Sequence, residues 1–385
     1  MIKRQLFINC LFIVFSGIWP YSLGIKFGVL TLMTHTPQSL FQKIYAAHSK
    51  GGSVSPSVTL KATGRKPKGF ENGHAIPGEA VKVPKELPLT HGAFGALAFR
   101  TATSVNNALS VRITFEGPLP KGIMATDLCL HVLRKLPALE EGQTMVIQLA
   151  GTLVEKLNIE NRMTLCAQLS NGADVAAVIM KPTAEIFNAI GATEKEHAMW
   201  RPLHSDPDAE YDHHVVLQAH KITPQATWTD VRETSGGIET NLDGQMAEKV
   251  GVFEKGKPMV TLPIDLVYIG PFEDYQKDAL ESAVEVFRGR KVASGLTAFV
   301  IPGSKELKKH AESKGWDKTF IHSGCIWDPT PTQLEEHKRD DCLRCAETLP
   351  LVSTKPRHNA CHFMSAQMAA TAAICGRVAD VRDFI

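Results

Sequence analysis

Pro263-Ile-Asp-Leu-Val-Tyr-Ile-Gly-Pro-Phe272 is an apolar run that ends in a Gly-Pro turn, and the same pattern returns at Thr297-Ala-Phe-Val-Ile-Pro-Gly-Ser304. Both runs are short, rich in branched and aromatic residues and closed by glycine, so they predict buried strands over 263–269 and 297–301. Residues 275–288 carry helical periodicity, and 305–314 repeats it with Ser304 placed as an N-cap. A further helical run at 316–321 completes the series. Strand–helix–strand–helix order at this spacing implies a parallel sheet with right-handed crossovers, hence an α/β fold. Such sheets bind ligands beyond the carboxyl ends of their strands. Here those ends are Gly270-Pro271-Phe272 and Pro302-Gly303-Ser304.

Upstream, strands are expected at 109–115, 145–149, 178–180 and 215–217, and helices at 125–136 and 152–157, with Thr126 or Asp127 opening the first helix. Residues 39–48 read as an amphipathic helix capped by Ser39, and 364–374 as a small-residue helix closing the chain. The 91–99 segment is apolar and small, suited to close helix packing. Gly, Pro, Lys and Ser dominate 50–90 without any lasting period, which predicts an irregular stretch. Lys3 and Arg4 precede an apolar run at 6–18, the layout of a signal peptide or anchor. The competing reading starts translation at Met33 and leaves the protein in the cytoplasm or mitochondrion. The organisation expected is therefore an apolar segment at 1–32, a remnant at 33–90, and α/β domains at 91–200 and 201–385.

The 385 residues include 42 Lys+Arg and 40 Asp+Glu, a net charge of +2 that argues against a globally basic nucleic-acid binder. Of eight cysteines, Cys166 and Cys375 sit in apolar runs and read as core. Cys342 and Cys345 form the single C-x-x-C, flanked by Cys325 and Cys361 in the spacing C-x16-C-x2-C-x15-C, with His362 beside the last. An iron–sulfur cluster, a zinc site and no metal at all are each compatible with that spacing. His213 and His214 are neighbours on an expected strand, so they face opposite ways and do not share a metal.

Several segments resemble the large subunit of 3-isopropylmalate dehydratase, in the aconitase superfamily. They are Thr90-His-Gly-Ala-Phe-Gly-Ala-Leu-Ala-Phe99, Asn161-Arg-Met-Thr-Leu-Cys166, Tyr211-Asp, Val215-Val-Leu217, Leu262-Pro-Ile-Asp265, Phe287-Arg-Gly-Arg-Lys-Val-Ala293, Val300-Ile-Pro-Gly-Ser304, Met368-Ala-Ala and Ala379-Asp-Val-Arg-Asp-Phe384. The resemblance implies three-layer α/β/α domains with mainly parallel sheets, the first domain truncated. It also implies hydro-lyase isomerisation of a small hydroxy-polycarboxylate at a [4Fe–4S] cluster held by three cysteines, with one iron open to substrate. Cys342 and Cys345 correspond to two of those ligands, and Arg357 to a substrate-binding arginine. A separate small subunit carrying a swivelling domain is implied as partner.

The departures from the family pattern concern the chemistry. Phe272 stands where the family's Ser-Cys-Thr-Asn motif supplies the first cluster cysteine, and phenylalanine has no lone pair for iron. Lys85-Glu-Leu-Pro-Leu-Thr90 replaces the family's Gly-Asp-Ser-His-Thr, and Ala167-Gln-Leu-Ser-Asn171 lacks the acid expected after Cys166. Two outcomes follow: an active relative with a substitute thiolate, or a catalytically impaired homologue that binds a ligand or partner.

Overall fold

Two mainly parallel sheets carry the fold in the computed structural model, which describes residues 37–43, 97–99, 108–141, 143–170, 175–181, 183–189, 193–194, 204–227, 235–239, 258–272, 275–338, 344–348 and 361–385. The chain divides into two compact units, Met1–Thr36 and Pro37–Ile385, and all described residues belong to the second. The apolar N-terminal run, the 50–90 stretch, Cys342 and Arg357 lie outside the described residues. Among the described residues no helix is long and apolar enough to cross a membrane.

The first sheet contains β1 (Leu97–Phe99), β2 (Leu109–Glu116), β3 (Met145–Ala150), β4 (Val175–Met180) and β5 (His213–Gln218), in the order β1-β4-β3-β2-β5. Helices α1 (Ala125–Leu133), α2 (Thr152–Lys156), α3 (Ile159–Ser170) and α4 (Ala184–Ala189) connect its strands. Alternation explains β2: Val111, Ile113 and Phe115 are wholly buried, while Arg112 and Thr114 project to the other face. The buried set joins Leu128 and Val132 of α1 and Leu165 and Leu169 of α3 in one core. The 91–99 segment corrects the sequence expectation. Its last three residues form β1, which pairs antiparallel with β4, so a long-range partner satisfies this backbone instead of a helix.

The second sheet contains β6 (Gln225–Thr227), β7 (Ser235–Gly237), β8 (Leu266–Ile269), β9 (Thr297–Val300), β10 (Ile326–Trp327), β11 (Cys345–Thr348) and β12 (Cys361–Met364), in the order β10-β9-β8-β11-β12-β6-β7. The five strands from β10 to β12 run parallel, and β6 pairs antiparallel with β12. Helices α5 (Lys277–Phe287), α6 (Lys305–Ser313), α7 (Trp316–Ser323), α8 (Pro331–Lys338) and α9 (Ala366–Cys375) accompany them. Val267 and Ile269 of β8 join a core with Leu280, Val284, Leu307 and the alanines of α9. Leu266 and Tyr268 face the other way, toward Phe299, Cys345 and Leu334 of α8. This is the mixed α/β architecture with mainly parallel sheets that the sequence predicts. Ser304 caps α6 as expected, its Oγ accepting the Leu307 amide at 3.0 Å.

Asp127 joins the two halves. Its carboxylate accepts the Met124 amide at 2.9 Å at the start of α1 and the Gln225 amide at 2.8 Å on β6. Burial pushes this carboxyl up to about 6, against the pull of those amides.

Candidate functional site

The carboxyl ends of β8 and β9 meet in two interlocked turns. Gly270 has φ +99°, and a Cβ there would lie 2.1 Å from the Ile301 carbonyl oxygen. Gly303 has φ +80°, and a Cβ there would lie 2.1 Å from the carbonyl oxygen of Phe272. Only glycine lets the two turns approach so closely. Phe272 follows directly, 4% exposed and packed in the core that contains Leu280, Val300 and Leu307. An aromatic ring at this place fills apolar volume and offers no ligand atom.

Cys345, the described cysteine of the C-x-x-C, lies at the other end of the sheet. Cys345 opens β11 opposite Leu266, the first residue of β8. Arg344 is tied to the residue before β8: its Nε reaches Asp265 Oδ2 at 2.9 Å and its Nη2 reaches Oδ1 at 3.1 Å. That guanidinium holds the Asp265 carboxyl below the usual carboxylate range. Gly270 lies four residue steps beyond Leu266, and at about 3.3 Å per step Cys345 stands roughly 13 Å along the strand direction from the turn that begins the Phe272 loop.

Cys345 is also paired. It forms a disulfide with Cys361, which opens β12 directly opposite, the two Cα atoms 4.7 Å apart. Glu347 Oε1 lies 3.1 Å from Cys361 Sγ, a contact that becomes a hydrogen bond when the bridge is reduced and the sulfur carries a proton. His362 does not join this group. Its side chain leaves the opposite face of β12, where Nδ1 donates to the Thr227 carbonyl at 2.9 Å, and burial lowers its pKa to about 4. Cys325 precedes β10, three strand spacings or about 14 Å across the sheet from β11, and packs as an apolar side chain. Burial pushes the Cys325 thiol up to about 12.

These positions test the implied cluster. Three thiolates must converge on one side of one iron–sulfur cube. Phe272 supplies none, Cys345 is bonded to Cys361, and Cys325 lies strands away, so the described residues do not fit a three-cysteine site. Among the described residues no three His, Cys, Asp or Glu side chains are arranged to hold a metal ion. His213 is half-buried and His214 exposed on edge strand β5, with Thr114 Oγ1 3.0 Å from His214 Nε2, as alternation predicts.

Two groups escaped the sequence reading. Arg162, inside the Asn161–Cys166 motif, is wholly buried and donates to the carbonyls of Val154, Leu157 and Lys181, fastening α2 and β4 to α3. Glu160 Oε2 accepts the Asp278 amide at 3.3 Å, and burial followed by the Asp278 charge pushes its carboxyl up to about 7. A carboxyl at that value can exchange a proton near neutrality. The adjoining cleft measures about 10 Å³, room for no more than a water.

The family model described as the aconitase family (aconitate hydratase) matches residues 89–331, ending before the C-x-x-C. The holo-form of aconitase X from Thermococcus kodakaraensis is similar at 13% identity and a TM-score of 0.32, covering 71% of this chain and 53% of its own length. The chain thus spans about half of that relative, 53%. With the family match running over more than half of its residues, from 89 to 331, the chain belongs to the aconitase family.

Proposed function

We propose that this chain keeps the aconitase-family scaffold as a non-catalytic binding protein, without cluster-dependent dehydration. One observation carries the reading: Phe272 and Cys345 stand at opposite ends of the β8–β11 pair, and Cys345 is joined to Cys361. The loss reaches the metal ligands themselves, which no change of substrate pocket compensates. The test is an anaerobic hydration assay, after treatment with iron and sulfide, on unsaturated polycarboxylates, the tricarboxylate aconitate and the dicarboxylate isopropylmaleate. The reading predicts turnover indistinguishable from buffer. Protein-dependent hydration of either acid overturns it.

Family membership favours a second reading. In it the chain performs hydro-lyase isomerisation of a small hydroxy-polycarboxylate, of the 3-isopropylmalate dehydratase type, in a leucine-like or specialised-metabolite pathway. A [4Fe–4S] cluster would use Cys342, Cys345 and a recruited thiolate, Arg357 would hold a substrate carboxylate, and a separate small subunit would complete the site. This reading requires the Cys345–Cys361 bridge to be open. Activity that appears only with dithiothreitol and a small subunit present would support it.

A further inference from the structure

A second place in the fold has the properties of a ligand site, and it is independent of the cluster question. Strands β2 and β3 of the first sheet border a cavity of about 310 Å³, with Gly151 and Lys181 contributed from just beyond the carboxyl ends of β3 and β4. That edge is where parallel sheets take their ligands, and the volume suits a small organic molecule. Arg112, Gln148, Glu155, Lys181 and Ser205 are the polar side chains that matter among its lining.

Arg112 is the central group. Its guanidinium carbon sits 5.3 Å from the ring centroid of Tyr211, and its Nε donates to Thr114 Oγ1 at 3.3 Å. Stacking and that bond hold the planar fork in place on the cavity wall. Among the described residues Arg112 pairs with no carboxylate. Lys181 differs: its Nζ is 3.0 Å from Glu155 Oε1, so this cation is already neutralised. The remaining lining is mixed, with Leu40, Leu149 and Val154 apolar and His204 beside Ser205. Gln148 is 6% exposed and its Nε2 donates to Ser205 Oγ at 2.8 Å, while the Tyr211 hydroxyl donates to the same Oγ at 2.8 Å and the Leu40 amide reaches it at 2.8 Å.

We propose that this cavity binds a small monocarboxylate, with its carboxylate on the Arg112 fork and the internally bonded Gln148–Ser205–Tyr211 group as a fixed wall beside it. Charge selects the class. A guanidinium fork matches two carboxylate oxygens, and one uncompensated cation matches one negative charge. Glu155 beside Lys181 repels a second carboxylate, so lactate is preferred over malate and citrate.

Titration calorimetry on the full chain, at constant chloride concentration, tests this with lactate, malate, citrate and inorganic phosphate. Lactate is expected to bind saturably, and Arg112→Gln to weaken it roughly tenfold to hundredfold, the range for losing hydrogen bonds to a charged group. Glu155→Gln changes a half-exposed side chain and is expected to invert the order so that malate binds more tightly than lactate. This second variant carries the test if the first does not fold. No saturable heat with lactate, an unchanged affinity in Arg112→Gln, an unchanged order in Glu155→Gln, or phosphate binding as tightly as lactate would each overturn the proposal. None of these results bears on cluster assembly, which fails or succeeds at the other sheet.

Discussion

Arg344 grips Asp265 with two hydrogen bonds, Nε to Oδ2 at 2.9 Å and Nη2 to Oδ1 at 3.1 Å, and so pins the end of the C-x-x-C to the amino edge of β8. Both side chains are partly exposed, 43% and 33%, so the pair itself is worth about 1 kcal/mol. Arg344→Gln should lower stability by roughly that amount in urea titration. A loss several times larger would mean that the fork holds β11 in the sheet.

Phe272 is a core side chain rather than a lining of an open site. Phe272→Ala should cost about 3–5 kcal/mol, the range for emptying a buried aromatic position. A change below about 1 kcal/mol, measured by denaturant titration, would place the ring at a solvent-filled site instead. Phe272→Cys should also fail to recruit iron, because Cys345 remains at the far end of β11.

The Cys345–Cys361 bridge closes a loop with a sequence separation of 16. Loop-closure entropy makes such a bridge worth about 3 kcal/mol. Peptide mapping of the alkylated, unreduced protein should recover the two cysteines linked. Cys345→Ser and Cys361→Ser should each destabilise, and the double variant should be no worse than the sum of one bridge lost. Two fully alkylated cysteines in protein purified without reductant would contradict the pairing.

Acid stability should reflect two buried groups of opposite sign. Asp127 has its pKa raised from 3.8 to about 6, so its contribution is fully present below about 3.8 and is lost as pH rises through 6, by up to roughly 3 kcal/mol. His362 has its pKa lowered from 6.5 to about 4, so its contribution is present above about 6.5 and is lost as pH falls through 4, again by roughly 3 kcal/mol. Between pH 4 and 6.5 the two oppose each other. Asp127→Asn should therefore make stability fall more steeply on acidification than in the parent, and His362→Asn should make it fall less or rise. Denaturant midpoints at the two ends of that window measure both slopes, and parallel slopes in all three proteins would refute the assignment.

The β8–α5–β9–α6 run was legible because each part is locally encoded: an apolar run stopped by glycine, an amphipathic helix, a serine cap that does accept the Leu307 amide. Strands β11 and β12 were not legible. Each has four residues, and Cys-Ala-Glu-Thr buries a glutamate at 3% exposure, which no periodicity announces. Helix α3 was hidden in the same way by Arg162 and Gln168, polar residues that are buried because carbonyls and a hydroxyl receive them. That Phe272 stands where the resembled family has a cysteine could be read from the sequence. The pairing of Cys345 with Cys361 could not, since it depends on the register of two strands whose spacing in the chain says nothing about pairing. The Arg112 cavity needed β2 and β3 to be brought side by side, with Lys181 beyond β4 and Ser205 from far along the chain.

The most direct test of the central claim is iron and sulfide content after anaerobic reconstitution of the reduced full chain, read together with visible absorption and electron paramagnetic resonance. The account predicts substoichiometric iron, no cluster absorption and no resonance on reduction, because Phe272 and Cys345 lie at opposite ends of the β8–β11 pair. About four irons and four sulfides per chain with a cluster resonance would contradict it.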